Sequence, residues 1–260
     1  MKHITSKDNP QYKELVKLAG TARHRAKLAQ TLLDGAHLLS AYLASGKQPL
    51  QLIVTDAALR DVEISALIKQ LPDVPVVQLD DALFAGLSEL KSPSGILALV
   101  SISQTGTNSP AGNFTLLLED VQDPGNLGSI LRSAAAAGCD NVFMSKGCAD
   151  AWSPKVLRAA MGGHFVLQLN ENSDLLSVAE KLPGKLYAAT LPTKTSLYSC
   201  DLRDNLAFAI GNEGAGLSTS LLALAVPFTI PMPGRMESLN AAAAAAICLF
   251  EAVRQRNVLN

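Results

Sequence analysis

The chain has 260 residues, 48% hydrophobic and 17% charged, a composition that supports a sizeable core and excludes a disordered or low-complexity polypeptide. Its net charge is −1 but unevenly spread: residues 1–30 hold seven Lys or Arg against Asp8 and Glu14, while the remainder carries 15 basic and 21 acidic residues. The longest uncharged apolar stretch near the end, "SLNAAAAAAICLF" between Glu237 and Glu251, is far shorter than the roughly 20 residues of a membrane-spanning helix.

The opening "MKHITSKDNP" is polar and carries no apolar signal core, so a cytoplasmic protein without membrane association is expected. Lys2, Lys7, Lys13, Lys17, Arg23, Arg25 and Lys27 form a basic arm suited to a polyanion such as nucleic acid. A solvated helix face has the same composition. "GAHLLSAYLASG" reads as a helix, with Leu38, Leu39 and Tyr42 on one face, and "LQLIVT", "PVVQL" and "GILALVS" read as strands. The seam "SISQTGTNSPAGN", Ser101 to Asn113, has no hydrophobic periodicity and separates a smaller domain from a larger one.

Beyond the seam, "FTLLLED", "NVFMS", "HFVLQL", "KLYAAT", "LAFAIG" and "PFTIPM" are strand candidates. The helical stretch "LGSILRSAAAAG" lies among them and closes on a cap glycine, Gly138. Alternating strands and helices predict an α/β fold with a parallel sheet. Cys139, Cys148, Cys200 and Cys248 form no C-x-x-C pair and, with four scattered histidines, no zinc pattern. No disulfide and no metal site are expected.

Ligands of such sheets bind where loops leave the carboxyl ends of strands, and three loops here carry unusual chemistry. In "LEDVQDPGNLGSILRSAAAAG", Pro124 and Gly125 force a turn, Asn126 is placed as a helix N-cap, and Arg132 stands alone among small residues. Arg132 is either a plain surface charge or a fork for a phosphate or ribose oxygen. In "FAIGNEGAGLS", Gly211, Gly214 and Gly216 are spaced G-x-x-G-x-G, which is neither a dinucleotide fingerprint nor a phosphate loop. Glu213 inside that turn would repel phosphate. A bare backbone with a buried acid fits a neutral or cationic ligand, and a tight turn with an exposed acid is the plainer alternative. In "TIPMPGRMESLNAAAAAAICLFEAVRQR", a strand ends at Ile230, Ser238 is placed as N-cap of a helix, and six alanines follow Asn240. Helix propensity alone explains them, as does close packing of another element or subunit.

Taken together, "DVQDPGNLGSILRSAAAAG", "IGNEGAGLS" and "IPMPGRMESLNAAAA" resemble the three ordered motifs of the SPOUT-class RNA ribose 2′-O-methyltransferases, the SpoU or TrmH family. "ITSKDNPQYKELVKLA", "LLDGAHLLSAYLASG" and "KSPSGILALVS" resemble that family's L30e-like substrate-binding domain. The resemblance implies an RNA-binding L30e-like domain over 1–103, a linker over 104–112 and a trefoil-knotted methyltransferase domain over 113–260. It implies S-adenosylmethionine as cofactor, held by the backbones at Gly211, Ile230 and Leu239 with Met232 and Ser238 as neighbours. Arg132 would ready a ribose 2′-hydroxyl, with Asn126, Glu213, Ser238 and Asn240 around it. It also implies a homodimer through the C-terminal domain and an RNA substrate; ribosomal and transfer RNA both stay open, and the basic arm with the L30e-like domain leans towards structured ribosomal RNA.

The sequence departs from the family's pattern at Ala241, Ala242 and Ala243, where Val-Ser-Val is usual, and at Ala160, where serine is common. A catalytically silent RNA-binding module and a base-methylating enzyme of the same fold stay open, whereas an oxidoreductase would need the missing G-x-G-x-x-G.

Overall fold

The computed structural model describes residues 1–90, 92–102, 112–190 and 193–257. Of the expected linker over 104–112, only Gly112 falls among them. The chain divides into two compact units, Met1–Gln104 with Trp152–Phe165, and Thr105–Ala151 with Val166–Asn260.

The first unit opens with β1 (Lys2–Ile4), α1 (Pro10–Gly20), α2 (Ala22–Leu28), β2 (Gln30–Asp34), α3 (Ala36–Ala44) and β3 (Gln51–Val54). It continues with α4 (Asp56–Arg60), α5 (Val62–Lys69), β4 (Val76–Leu79), α6 (Asp81–Ala85) and β5 (Ile96–Ser101). The sheet order is β1-β4-β3-β5-β2, with β5 antiparallel to both neighbours. Helix α1 starts where Asn9 accepts from the Gln11 amide and Pro10 fills the first turn, a position that needs no proline N–H. Its buried face, Tyr12, Leu15 and Leu18, packs with Ile4, Leu32, Ile53, Val77, Phe84 and Leu97 in one core cluster. Arg25 departs from the basic arm. It is 4% exposed and donates to the carbonyls of Leu18 and Ala19, so it holds α2 against α1 rather than facing a polyanion.

The second unit begins with β6 (Phe114–Leu118), α7 (Pro124–Ala136) and β7 (Asn141–Met144). Helix α8 (Pro154–Ala160) then belongs to the first unit, where the Thr31 hydroxyl donates to the Trp152 carbonyl (2.9 Å) and Arg158 pairs with Glu89 (2.8 Å). The strand expected from His164 starts later. Gly163–Phe165 is a 3-10 turn that places the His164 ring 5.0 Å from Trp152 and the Phe165 ring 5.2 Å from Tyr42. Aromatic packing overrides the strand propensity of that run, and pairing resumes only in β8 (Gln168–Asn170).

The remaining elements are α9 (Leu175–Ala179), β9 (Lys185–Ala189), β10 (Leu206–Ile210), α10 (Thr219–Ala223), β11 (Val226–Phe228) and α11 (Ala241–Asn257). Their sheet is parallel throughout, in the order β11-β9-β10-β6-β7-β8. Strands β6 and β10 are fully buried and, Thr115 apart, apolar, as central parallel strands require. β11 ends at Phe228 rather than Ile230 because Thr229 leaves β9 and pairs with the segment at Thr195–Leu197.

Helix α11 packs against α7 through small residues, with Ala241, Ala245, Cys248 and Ala252 buried on one helix and Gly128 and Ala134 on the other. The alanine run is thus a close-packing face as well as a good helix former. Burial pushes the thiols of Cys139 and Cys248 up to about 12, so both act as small hydrophobes. Among the described residues no helix is long and apolar enough to cross a membrane, and no His, Cys, Asp and Glu cluster could hold a metal ion.

The last turn of α11 is fastened by Arg256. Its guanidinium stacks 4.5 Å over the Phe114 ring and donates to the carbonyls of Asn113, Leu202 and Asp204. Arg256→Ala removes the stack and leaves those carbonyls to water, and is expected to lower stability by about 2 kcal/mol in urea unfolding.

Candidate functional site

The carboxyl ends of β9, β10 and β11 open into a cleft of about 470 Å³, within the usual range for small-molecule sites, about 300–1,000 Å³. One wall is the turn Gly211–Leu217, and another is formed by Ile230, Met232, Ser238 and Leu239. Ala241 and Ala244 of α11 close it, with Phe228 and Leu222 adding apolar surface. Among the described residues lining it, Glu213 carries the one charge. A phosphate would meet no cation there, whereas a neutral or cationic ligand meets backbone, apolar surface and one acid.

The turn has the shape that its glycines impose. Asn212 and Gly216 exchange both backbone hydrogen bonds, at 3.1 and 3.0 Å. Gly216 sits at φ +71°, a left-handed conformation that favours glycine. A Cβ on Gly211 would collide with the Gly216 carbonyl group. Asn212 Oδ1 accepts from the amides of Gly214 and Ala215, and its Nδ2 donates to the Asp120 carbonyl, 2.9 Å away.

Beside this cleft three sequence-distant loops meet. Asn240 Nδ2 donates to Asn126 Oδ1, and Asn126 Nδ2 donates to Glu213 Oε1, each at 2.8 Å. Glu119, at the end of β6, accepts from the Ser218 amide at 2.7 Å and ties the turn back to the sheet. The structure therefore brings Asn126, Glu213 and Asn240 together, and it sets Gly211, Ile230, Met232, Ser238 and Leu239 on the cleft.

Several local expectations are corrected. The N-cap of α7 is Asp123, which accepts from the Asn126 amide; Pro124 takes the first turn, so Asn126 is already helical and its side chain is free for Glu213. The cap of α11 is Asn240, whose Oδ1 accepts from Ala242 and Ala243, rather than Ser238. Glu213 is exposed, not buried. Arg132 is also exposed, makes no side-chain hydrogen bond or ion pair with a described residue, and does not line the cleft. Six residues along α7 turn it about 240° from Asn126 and lift it about 9 Å along the axis.

Asn212, Asp120 and Glu119 were not singled out from the sequence. The available signal was an Asx residue directly before a glycine turn, the residue type that accepts from backbone two positions on.

Comparison with known proteins matches residues 113–250 to the SpoU rRNA Methylase family and residues 9–98 to an MRM3-like substrate binding domain. An uncharacterised tRNA/rRNA methyltransferase of Synechocystis is 34% identical, over 97% of this chain and 94% of its own length. The Bacillus subtilis 23S rRNA (guanosine(2553)-2'-O)-methyltransferase RlmP is 32% identical, over 96% of this chain and 98% of its own. The crystal structure of the AdoMet-bound rRNA methyltransferase from Sinorhizobium meliloti superposes with a TM-score of 0.84 at 26% identity, over 97% of each chain.

The turn makes a direct prediction. Gly211→Ala drives a methyl group into the Gly216 backbone and should destabilise the protein by about 2 kcal/mol. Gly214→Ala meets only Asn212 Oδ1 at 3.5 Å and should fall within about 0.5 kcal/mol of the parent in the same denaturation assay.

Proposed function

This chain belongs to the SpoU rRNA methylase family, and from that premise we propose how its residues divide the work of methylating a ribose 2′-hydroxyl in ribosomal RNA. The protein is an S-adenosylmethionine-dependent RNA methyltransferase. The observation that carries the assignment of the site is the Asn240–Asn126–Glu213 chain of hydrogen bonds, which joins three loops at the rim of a cleft whose described lining has no cation.

The cleft fits the cofactor in its size, its bare glycine backbone, its apolar surface and its single acid. When bound, S-adenosylmethionine supplies a methyl group on a positively charged sulfur. In this reading the backbones at Gly211, Ile230 and Leu239 hold it, Met232 and Ser238 flank it, and Glu213 favours its charge. Asn126 and Asn240 keep Glu213 oriented.

Arg132 carries a permanent guanidinium charge and is a poor proton acceptor. Its role here is to hold the ribose hydroxyl and adjacent phosphate and to stabilise the alkoxide as it develops. Being exposed and away from the cleft lining of its own chain, it reaches a reacting ribose through a second copy of the protein. Supporting this, α11 presents a stripe opposite its buried face: exposed Ala243, half-buried Ile247 and Phe250, 47% exposed, fall at helical spacing. A homodimer formed on the α7–α11 face covers that stripe. The same reading includes a trefoil knot in the C-terminal segment, an RNA-binding domain over 1–103, a linker over 104–112, and a cytoplasmic location beside the ribosomal RNA.

Incubation with S-adenosylmethionine and ribosomal RNA should add one methyl group and protect one ribose linkage from alkaline cleavage. A methyl group on a base, or cofactor binding without transfer, would favour the other two readings. Arg132→Ala is expected to lower turnover at least 100-fold while cofactor affinity measured by calorimetry stays within twofold. Phe250→Asp is expected to shift the protein from dimer to monomer in sedimentation and to lower turnover with it.

A further inference from the structure

The left-handed residue at the end of β6 has no place in the division of work above. Asp120 has φ +53°, one of four non-glycine residues with positive φ in the described chain, and a conformation costly for most side chains. Ser145, just past β7, holds it there twice: the Asp120 amide donates to Ser145 Oγ (2.9 Å), and Ser145 Oγ donates to Asp120 Oδ1 (2.6 Å). Gly147 leaves room for that carboxylate, since a Cβ there would meet Asp120 Oδ1 and Cγ well inside contact distance. The product of this arrangement is the direction of one carbonyl. The Asp120 C=O faces Asn212, which donates to it and binds the amides of Gly214 and Ala215 with the other end of the same side chain.

We propose that Asp120 and Asn212 form a latch that sets the shape of the cofactor-facing turn, making both positioning residues for S-adenosylmethionine rather than for RNA. The inference rests on the methyltransferase reading above. An amide side chain offers its acceptor and donor at opposite ends. Because Asn212 Oδ1 accepts inside the turn, its Nδ2 points outward, and Asn212 anchors the turn only if a carbonyl meets it there, an anchor separate from the Glu119–Ser218 and Asn126–Glu213 bonds. The left-handed backbone at Asp120 provides that carbonyl. A turn ordered before the ligand arrives does not lose that freedom on binding. Loss of the latch therefore appears as weaker cofactor binding, with RNA affinity unchanged.

The test measures cofactor affinity by calorimetry on the full-length protein, together with KM for S-adenosylmethionine and for RNA. Asn212→Ala and Asp120→Ala should each weaken cofactor binding tenfold or more and raise its KM in parallel, leaving KM for RNA within twofold. Asn212→Asp keeps the acceptor within the turn but sets a carboxylate against the Asp120 carbonyl, and should weaken binding at least fivefold. Asp120→Gly adopts the left-handed backbone freely and should bind within threefold of the parent, a rescue that loss of a side-chain contact alone does not give. Far-UV circular dichroism identifies any variant that fails to fold, and the remaining variants then decide.

Cofactor affinity within threefold of the parent in Asn212→Ala, or equal weakening in Asp120→Gly and Asp120→Ala, overturns the latch while the methyltransferase reading stands. A parent protein that gives no signal with S-adenosylmethionine overturns that reading, and the latch with it.

Discussion

Both ends of the Asn126 amide are committed. Its oxygen accepts from Asn240 and its nitrogen donates to Glu213, partners 114 and 87 residues away along the chain. An amide cannot exchange its ends without breaking both bonds, so this one side chain fixes the relative placement of the loops after β6, β10 and β11. The cap geometry makes it available. With the Asp123 side chain accepting the Asn126 amide and Pro124 filling the first turn, the Asn126 side chain is released from capping. The same economy recurs at Asn240, which caps α11 with its oxygen and reaches Asn126 with its nitrogen.

The chemistry of the cleft follows from what surrounds that junction. Parallel strands end with their carboxyl ends on one side of the sheet, and the loops leaving β9, β10 and β11 present glycines and apolar residues there. With Glu213 as the one charge among the described lining residues, the cleft offers no cation to an anion, so in the proposed reading the RNA phosphate is handled outside it. In the proposed division of work, that second task falls to the exposed Arg132, on the helix packed against α11. Under that proposal the sulfonium and the guanidinium occupy separate places, which avoids two positive groups in one pocket, where each would raise the cost of the other.

The first unit draws on the second half of the chain as well. Trp152–Phe165 contributes α8, the Arg158–Glu89 pair and the aromatic contacts of Trp152, His164 and Phe165. Arg25 is similarly internal, which reduces the basic surface near α1 and α2 to cations such as Lys17, Arg23 and Lys27. A charge count along the chain does not see this, because burial is decided by neighbours that arrive from elsewhere.

Local chemistry made much of this legible. Periodicity located β3, β4, β5, β6, β7, β9 and β10, and the glycine spacing of 211–216 argued against phosphate and dinucleotide loops. The motifs identified the family and the residues of the cleft, since both depend on residue type and order. What they left undecided was partnership. The sequence could not assign the cap of α7 to Asp123 over Asn126, or that of α11 to Asn240 over Ser238, because several neighbouring polar residues suit each end and only the surrounding loops choose among them. Nor could it give Asp120 its left-handed backbone, which exists because Ser145 and Asn212 hold it from other strands. Residue types and their spacing set which chemistry was possible; the meeting of loops some ninety and more residues apart decided which atoms perform it, because a hydrogen bond requires its partners within about 3 Å and sequence distance says nothing of that.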